Sequence, residues 1–386
     1  MKELKSKRSW KWWFGRGALA LTGVGLLGGL VVYASTGWGE ALGAAPSGER
    51  LERMKASKQH AGDKFINKVE TGTMKPGDAP GVILEMLTND AVRTPTVEIP
   101  VLSPAQQLAT PPESGMRVTW MGHSSLLIEI DGARILTDPV WGERASPSTL
   151  LGPARFHEPP ISLDEIGKLD AVIISHDHYD HLDMPSIKKL VEQDVHFYMP
   201  LGIGAHMERW GVPEERIHEF DWWEKTTLEA HGVELVSTPS RHFSGRAGID
   251  ANRTLWTSWT ILGPKHRVYF SGDSGYSPHF KEIGDKYGPF DLTMVEVGAY
   301  HEAWGDIHLG PHHAMQAHLD LGGKKMLPVH WGTFDLALHS WTHPARVLAE
   351  EAPGKQIQLV TPRVGEPIEP TLSTTTTPWW EALGRE

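Results

Sequence analysis

A chain of 386 residues with net charge −11, 40% hydrophobic residues and no cysteine can form one large domain with extensions or two modest domains. Without cysteine there is no disulfide, no thiolate nucleophile and no Cys-ligated zinc, so any metal must be held by His and carboxylate groups. The first 16 residues carry six basic residues and one acid, leaving 31 basic against 47 acidic residues in the remainder; that balance argues against a nucleic-acid partner, whose backbone is bound through clustered positive charge.

Residues 17–39, after the basic segment 1–16, are uncharged and long enough for a membrane-spanning helix. Trp10, Trp12 and Trp13 on one flank, and Tyr33 and Trp38 on the other, suit the two membrane interfaces, and the basic flank places the N-terminus in the cytoplasm and the body on the outer, periplasmic side. The alternative is a cleaved leader, with small residues at 41–45, which would make the body secreted or periplasmic. Residues 40–112, rich in Pro, Gly and charge, read as a linker that wraps the body and holds only short helices.

Strand signals then follow at 118–121, 125–130 and 133–137, with Asp131-Gly132 as a hairpin turn. Strands are expected at 171–175, 233–237, 254–262, 267–270, 292–297 and 326–330, and helices at 184–193, 278–286, 311–321 and 344–350. This alternation is that of an α/β protein with covered sheets. The division is 1–16 basic segment, 17–39 anchor or signal, 40–112 linker, 113–365 catalytic domain and 366–386 tail, the last Pro/Thr-rich and expected to be loosely ordered.

The chemistry centres on His176-x-His178-x-Asp180-His181, directly after the strand at 171–175. In extended chain, residues two apart point the same way, so His176 and His178 can grip one metal while Asp180 and His181 face a second. Further donors are expected at strand ends: His242 after 233–237, Asp273 after 267–270, and His330 closing 326–330. Other motifs fail: Gly272-Asp273-Ser274-Gly275 echoes a serine-protease nucleophile on the wrong fold pattern, and His301-Glu302 lacks the second His of a zincin.

Gly122-His123, Leu136-Thr137-Asp138-Pro139, the 144–148 segment, the 175–183 motif, Asp221-Trp222-Trp223-Glu224, Gly298-Ala299-Tyr300 and His330-Trp331-Gly332-Thr333-Phe334 resemble the metallo-β-lactamase superfamily. Within it, the chain is similar to the phospholipase D branch that hydrolyses N-acylphosphatidylethanolamine. The resemblance implies an αββα sandwich and two zinc ions, with Mn or Fe able to occupy the same donors. It assigns His176, His178 and His242 to one ion, Asp180, His181 and His330 to the other, and Asp273 to both. His308 matches a position near the substrate phosphate, so Asp273, Asp180 and His308 are the candidate catalytic residues. The sequence departs from the animal enzyme at His312-His313, where that enzyme has an acidic pair, and in a shorter segment between Tyr300 and His308.

Two divalent ions can activate a water for attack on a phosphodiester. Asp138 and His123 are expected to orient ligand imidazoles, with Asp177 and Tyr179 beside them in the motif. Trp222, Trp223, Tyr300, Trp304 and Trp331 are candidates for an acyl pocket, core packing being the bland alternative. The resulting expectation is a membrane-associated hydrolase of a phospholipid, with a homodimer allowed. The rival readings are a lactonase of the ascorbate-6-phosphate type and an inactive metal-binding sensor.

Overall fold

In a computed structural model, residues 38–383 are described, apart from 73, 75–76 and 373–375. The anchor expected at 17–39 lies outside them except for Trp38 and Gly39, which open a short helix, Trp38–Ala41. Among the described residues no helix is long and apolar enough to cross a membrane.

Sixteen strands are formed by the described residues: β1 His60–Ala61, β2 Lys64–Phe65, β3 Met116–Gly122, β4 Ser125–Ile130, β5 Ala133–Thr137, β6 Ala171–Ile173, β7 Phe197–Pro200, β8 Ile217–Phe220, β9 Lys225–Leu228, β10 Val233–Thr238, β11 Ser258–Leu262, β12 Arg267–Phe270, β13 Phe290–Glu296, β14 Gly323–Val329, β15 Gln358–Leu359 and β16 Pro367–Ile368. Beyond the β1–β2 ribbon they build two seven-stranded sheets, ordered β16-β3-β4-β5-β6-β7-β8 and β15-β14-β13-β12-β11-β10-β9. Each sheet follows one plan. An antiparallel run (β3 to β5, and β9 to β12) leads into parallel strands (β5 to β8, and β12 to β15).

The hairpin between β4 and β5 turns through Asp131 and Gly132, both at positive φ (50° and 94°), as a tight two-residue turn needs. Side-chain alternation then sorts the faces. Leu126, Ile128 and Ile130 enter the core that includes Trp259, Tyr269 and Met294 of the second sheet, whereas Leu127 joins a separate cluster with Ile187 and Leu190 of the helix Met184–Leu190. On the second sheet, the helix Gly310–Asp320 packs against β13 and β14, with the helices His279–Tyr287 and His343–Glu351 beside it. Helix, sheet, sheet and helix therefore stack as an αββα sandwich.

Several expectations shift. The helix expected at 184–193 ends at Leu190, and the strand expected at 254–262 begins at Ser258. Strands β7, β8 and β9 were not read from the sequence, whereas the helices Gly48–Ala56 and Ala79–Thr88 are short ones of the kind expected in 40–112. The tail from Glu366 is not loose where it is described. β16 pairs with β3 through Pro367↔Thr119 and Ile368↔Val118, and Trp379 and Trp380 are buried in the core. Two indoles outweigh the low apolar content of the segment that carries them, because burying large aromatic surface is among the strongest single contributions to packing.

Candidate metal centre

The residues singled out at strand ends converge at one edge of the sandwich. β6 stops at Ile173, and the loop after it carries His176, His178, Asp180 and His181. The Asp138 carboxylate fixes this loop by accepting from Ser175 N at 2.7 Å and Ser175 Oγ at 2.5 Å, and by meeting His181 Nδ1 at 2.7 Å. Asp183 ends the loop by capping the next helix, accepting from Ser186 N.

Close approach of the two sheets brings in the remaining donors. A Cβ at Gly272 would lie 2.5 Å from Ser175 Cβ, so glycine there lets the end of β12 reach the end of β6 and deliver Asp273. His123 and His330 both adopt positive φ (51° and 65°), a conformation that costs non-glycine residues on the order of 1 kcal/mol or more and is retained where surroundings enforce it. Here His330 N donates to His123 O at 3.0 Å, and His123 N donates to Thr333 Oγ1 at 2.7 Å. His242 arrives after β10, with Nδ1 held 2.8 Å from Ile307 O, which leaves Nε2 as its free nitrogen.

Two donor groups result, each with its atoms within 4.8 Å of one another: His176, His178, His242 and Asp273; and His123, Asp180, His181 and His330; a third, Asp273, Glu296, His308 and His330, adjoins them. In the first, His176 Nε2 lies 2.9 Å and His242 Nε2 3.3 Å from His178 Nδ1. In the second, Asp180 Oδ2 lies 3.2 Å from His330 Nε2 and 3.5 Å from His181 Nε2. Asp273 stands between them: Oδ2 is 3.8 Å from His176 Nε2 and 3.7 Å from His242 Nε2, while Oδ1 and Oδ2 are 3.2 and 3.0 Å from the Nε2 atoms of His181 and His330.

The donor set fits a cation. His181 Nε2, His330 Nε2 and Asp273 Oδ1 are buried with no hydrogen-bond partner among the described residues, although carboxylates and imidazoles crowd together there. A buried polar atom left unpaired costs about 1–3 kcal/mol, and an ion shared by these atoms removes that cost. The electrostatics point the same way. Burial opposes charge on His330, but Asp273 and Asp180 outweigh it and push its pKa up to about 10. Burial would raise Asp273, yet His181 and His330 pull it well below the carboxylate range. Burial together with the neighbouring imidazoles holds His176 well below its ordinary value. The first group is therefore rich in neutral nitrogen donors, and the second carries the negative potential.

Residues 133–331 match the model of the β-lactamase superfamily domain. The chain belongs to the metallo-β-lactamase superfamily. It is 45% identical over 303 residues to an uncharacterised protein of Mycobacterium tuberculosis, covering 78% of this chain and 80% of that one. It is 35% identical over 234 residues to N-acyl-phosphatidylethanolamine-hydrolyzing phospholipase D 1 of Caenorhabditis elegans, covering 58% and 66%. This superfamily member also shares its fold with the metallo hydrolase Igni18 of Ignicoccus hospitalis, at TM-score 0.52 and 21% identity over 66% of this chain and 97% of that one.

Other residues singled out from the sequence take different places. His123 Nε2 meets Asp180 Oδ2 at 3.0 Å, so it contacts a carboxylate donor as well as standing within its group; burial, then His330, lowers its pKa to about 3. Asp177 and Tyr179 orient no imidazole of the two donor groups. Asp177 accepts from Gly245 N and Thr254 Oγ1 at 2.8 and 2.7 Å, and Tyr179 donates to Arg246 O at 2.8 Å, so both tie the motif to the 244–254 loop.

Among the described residues, the indoles expected to form a pocket take other places. Trp222 packs with Met54, Phe65, Leu201 and Trp256, and Trp223 lies against that cluster under Lys68 and Lys286. Trp331 stacks on both Trp120 and Trp379, and the cavity it shares with His330 is only about 20 Å³, room for a water rather than an acyl chain. These indoles instead close the hydrophobic interior. Tyr300 stacks on His339 at 4.5 Å and its hydroxyl meets His343 Nδ1 at 2.5 Å. It lines an open cavity of about 530 Å³ with Glu85, His301 and His339, while Trp304 is half-buried beside His301.

His308 reaches the edge of the centre, its Nδ1 4.0 Å from Asp273 Oδ2 and 2.8 Å from Glu296 Oε2. Glu296 was not singled out from the sequence. Its signal was a lone acid within the otherwise uncharged stretch 292–299, placed next to the end of a buried strand.

Proposed function

We propose that this protein is a dinuclear metal phosphodiesterase of the phospholipase D type, acting on N-acylated phosphatidylethanolamine and releasing phosphatidic acid. The observation that carries the reading is Asp273 placed between two donor groups, with His308 at their shared edge. His176, His178 and His242 would hold one ion, Asp180, His181 and His330 the other, and Asp273 both; zinc suits these donors, and Mn or Fe would fit the same set. Bound there, such ions supply Lewis acidity and an activated water. The chain's own residues do the rest. Asp138 and the Ile307 carbonyl fix the faces that His181 and His242 present. The αββα frame holds donors from four strand ends so that little rearrangement is needed at the moment of reaction. His308 reaches this edge without being assigned to either ion, as does His123, whose Nε2 instead meets Asp180 Oδ2 at 3.0 Å.

Exposed apolar side chains support a lipid surface as the place of work: Ile83, Leu84, Met86 and Leu87 on the helix Ala79–Thr88, Leu150 and Leu151 in the 144–152 loop, and Ile249. Anchoring by residues 17–39, with the catalytic domain on the outer side, belongs to the same proposal. The named substrate of the worm relative supports the choice of lipid. The test is to load purified full chain with zinc or manganese and assay N-acylphosphatidylethanolamine in vesicles beside a phosphorylated lactone. Release of phosphatidic acid supports the reading; opening of the lactone alone transfers the site to lactonase chemistry, and inactivity on both with two ions bound leaves a metal-binding protein without hydrolase function.

A further inference from the structure

Glu296 closes β13 and is wholly buried. Its two carboxylate oxygens are differently engaged. Oε1 accepts two backbone hydrogen bonds, from Ser274 N at 3.0 Å and Leu309 N at 2.9 Å. Oε2 faces His308 Nδ1 at 2.8 Å. The backbone of Ser274 adjoins Asp273, and the backbone of Leu309 adjoins His308, so one side chain ties the loop that delivers Asp273 to the loop that delivers His308.

We infer that Glu296 is a positioning residue for His308: it holds the His308 proton on Nδ1 and leaves Nε2 as the nitrogen that meets substrate. The two backbone donors decide which oxygen is available to the ring. An N–H can only donate, so Oε1 must be an acceptor, and the carboxylate cannot turn without orphaning both donors. With Glu296 ionised, Oε2 is then left to accept from Nδ1. Among the described residues no hydrogen bond is made to His308 Nε2, and the His308 side chain retains 12% exposure, close to the 14% of Asp180. A ring nitrogen whose partner atom is fixed by a carboxylate is oriented. This inference rests on the phosphodiesterase reading only for what His308 touches; the tautomer rests on the Glu296–His308 contact with Glu296 as the carboxylate.

The same geometry makes a sharp test. In Glu296→Gln the amide oxygen must stay with Ser274 N and Leu309 N, so the amide NH₂ takes the place of Oε2 and donates to His308 Nδ1. The neutral ring is thereby forced into the opposite tautomer, with its proton on Nε2, while shape and packing are kept. Nitrogen-15 NMR of histidine-labelled, metal-loaded full chain should show the His308 Nδ1 protonated in the parent and the Nε2 protonated in Glu296→Gln, with His308→Ala identifying the signals. With any phosphodiester the enzyme turns over, bis-p-nitrophenyl phosphate included, kcat should fall about 10- to 100-fold with KM and bound metal unchanged. The double variant Glu296→Gln/His308→Ala should be no slower than His308→Ala alone, since two residues acting through one contact are not additive. An Nε2 proton already present in the parent, or a double variant slower by the full product of the single effects, overturns the inference. Failure of the lipid assay alone would count against the proposed substrate and leave the NMR result to decide on Glu296.

Discussion

Asp138 Oδ2 and His181 Nδ1 lie 2.7 Å apart with both side chains fully buried. The contact commits the Nδ1 proton of His181 to Asp138, so its Nε2 is the lone-pair nitrogen turned to Asp180 and Asp273. Asp138→Asn keeps the volume but places an NH₂ against Nδ1. It is expected to weaken metal binding about 10- to 100-fold, read by competition with a chelator of known affinity. An unchanged affinity would show that Asp138 serves only to brace Ser175.

Asp273→Ala removes the carboxylate that stands between the two donor groups, 3.2 and 3.0 Å from His181 and His330 and 3.8 and 3.7 Å from His176 and His242. Turnover is expected to vanish, and metal content by elemental analysis to fall to one ion or none per chain. A fully metallated, active variant would rule out a shared role for Asp273.

How much of this could be read from residues alone depended on whether the information was local. The His176–His181 motif is contiguous, and the strand before it is a plain apolar run, so motif and fold class were both legible. His242, Asp273 and His330 share one local signature, a donor directly after an apolar strand, and the structure gathers them with the motif. β7 and β8 were missed because Phe197–Pro200 ends in proline and Ile217–Phe220 carries His218 and Glu219, so neither shows a plain apolar run or a clear alternation. The indoles were misplaced for a different reason. Trp has the same composition signal in a pocket wall and in a core, and only the partners of Trp331, namely Trp120 and Trp379, tell the two apart.

The tail supplies a stability test. Trp380 is 1% exposed and Trp379 is 6% exposed, and Trp379 Nε1 donates to Pro362 O at 3.1 Å. Trp380→Ala is expected to cost about 3–5 kcal/mol, and ending the chain at residue 365 more, since β16 is lost as well. Urea unfolding of full chain and variants measures this; a midpoint that does not move would mean that the tail is dispensable for packing.

His318 provides a pH dependence away from the metal centre. It is 1% exposed, its Nδ1 lies 2.7 Å from Thr293 Oγ1, and burial lowers its pKa to about 4. The folded chain therefore takes up this proton later than the unfolded chain, whose histidines titrate near ~6.5. Stability from this group is complete above ~6.5 and is lost as pH falls toward about 4. The span corresponds to up to ~3 kcal/mol. His318→Asn should flatten that part of the dependence when urea midpoints at pH 7 and 5 are compared, and an identical slope in parent and variant would reject the assignment.

A chain without cysteine has no covalent tie between its two sheets. The donors around Asp273 come from positions as distant as 176 and 330, so an ion held among them closes loops on the scale of a hundred residues. Cross-links of that span remove about 4–5 kcal/mol of freedom from an unfolded chain in the loop-entropy account. Coordination thus stands in for a disulfide, with one difference: this tie is broken by acid or a chelator and remade when metal returns. The resistance of such a protein to heat and proteolysis would then track the metal supply of its surroundings.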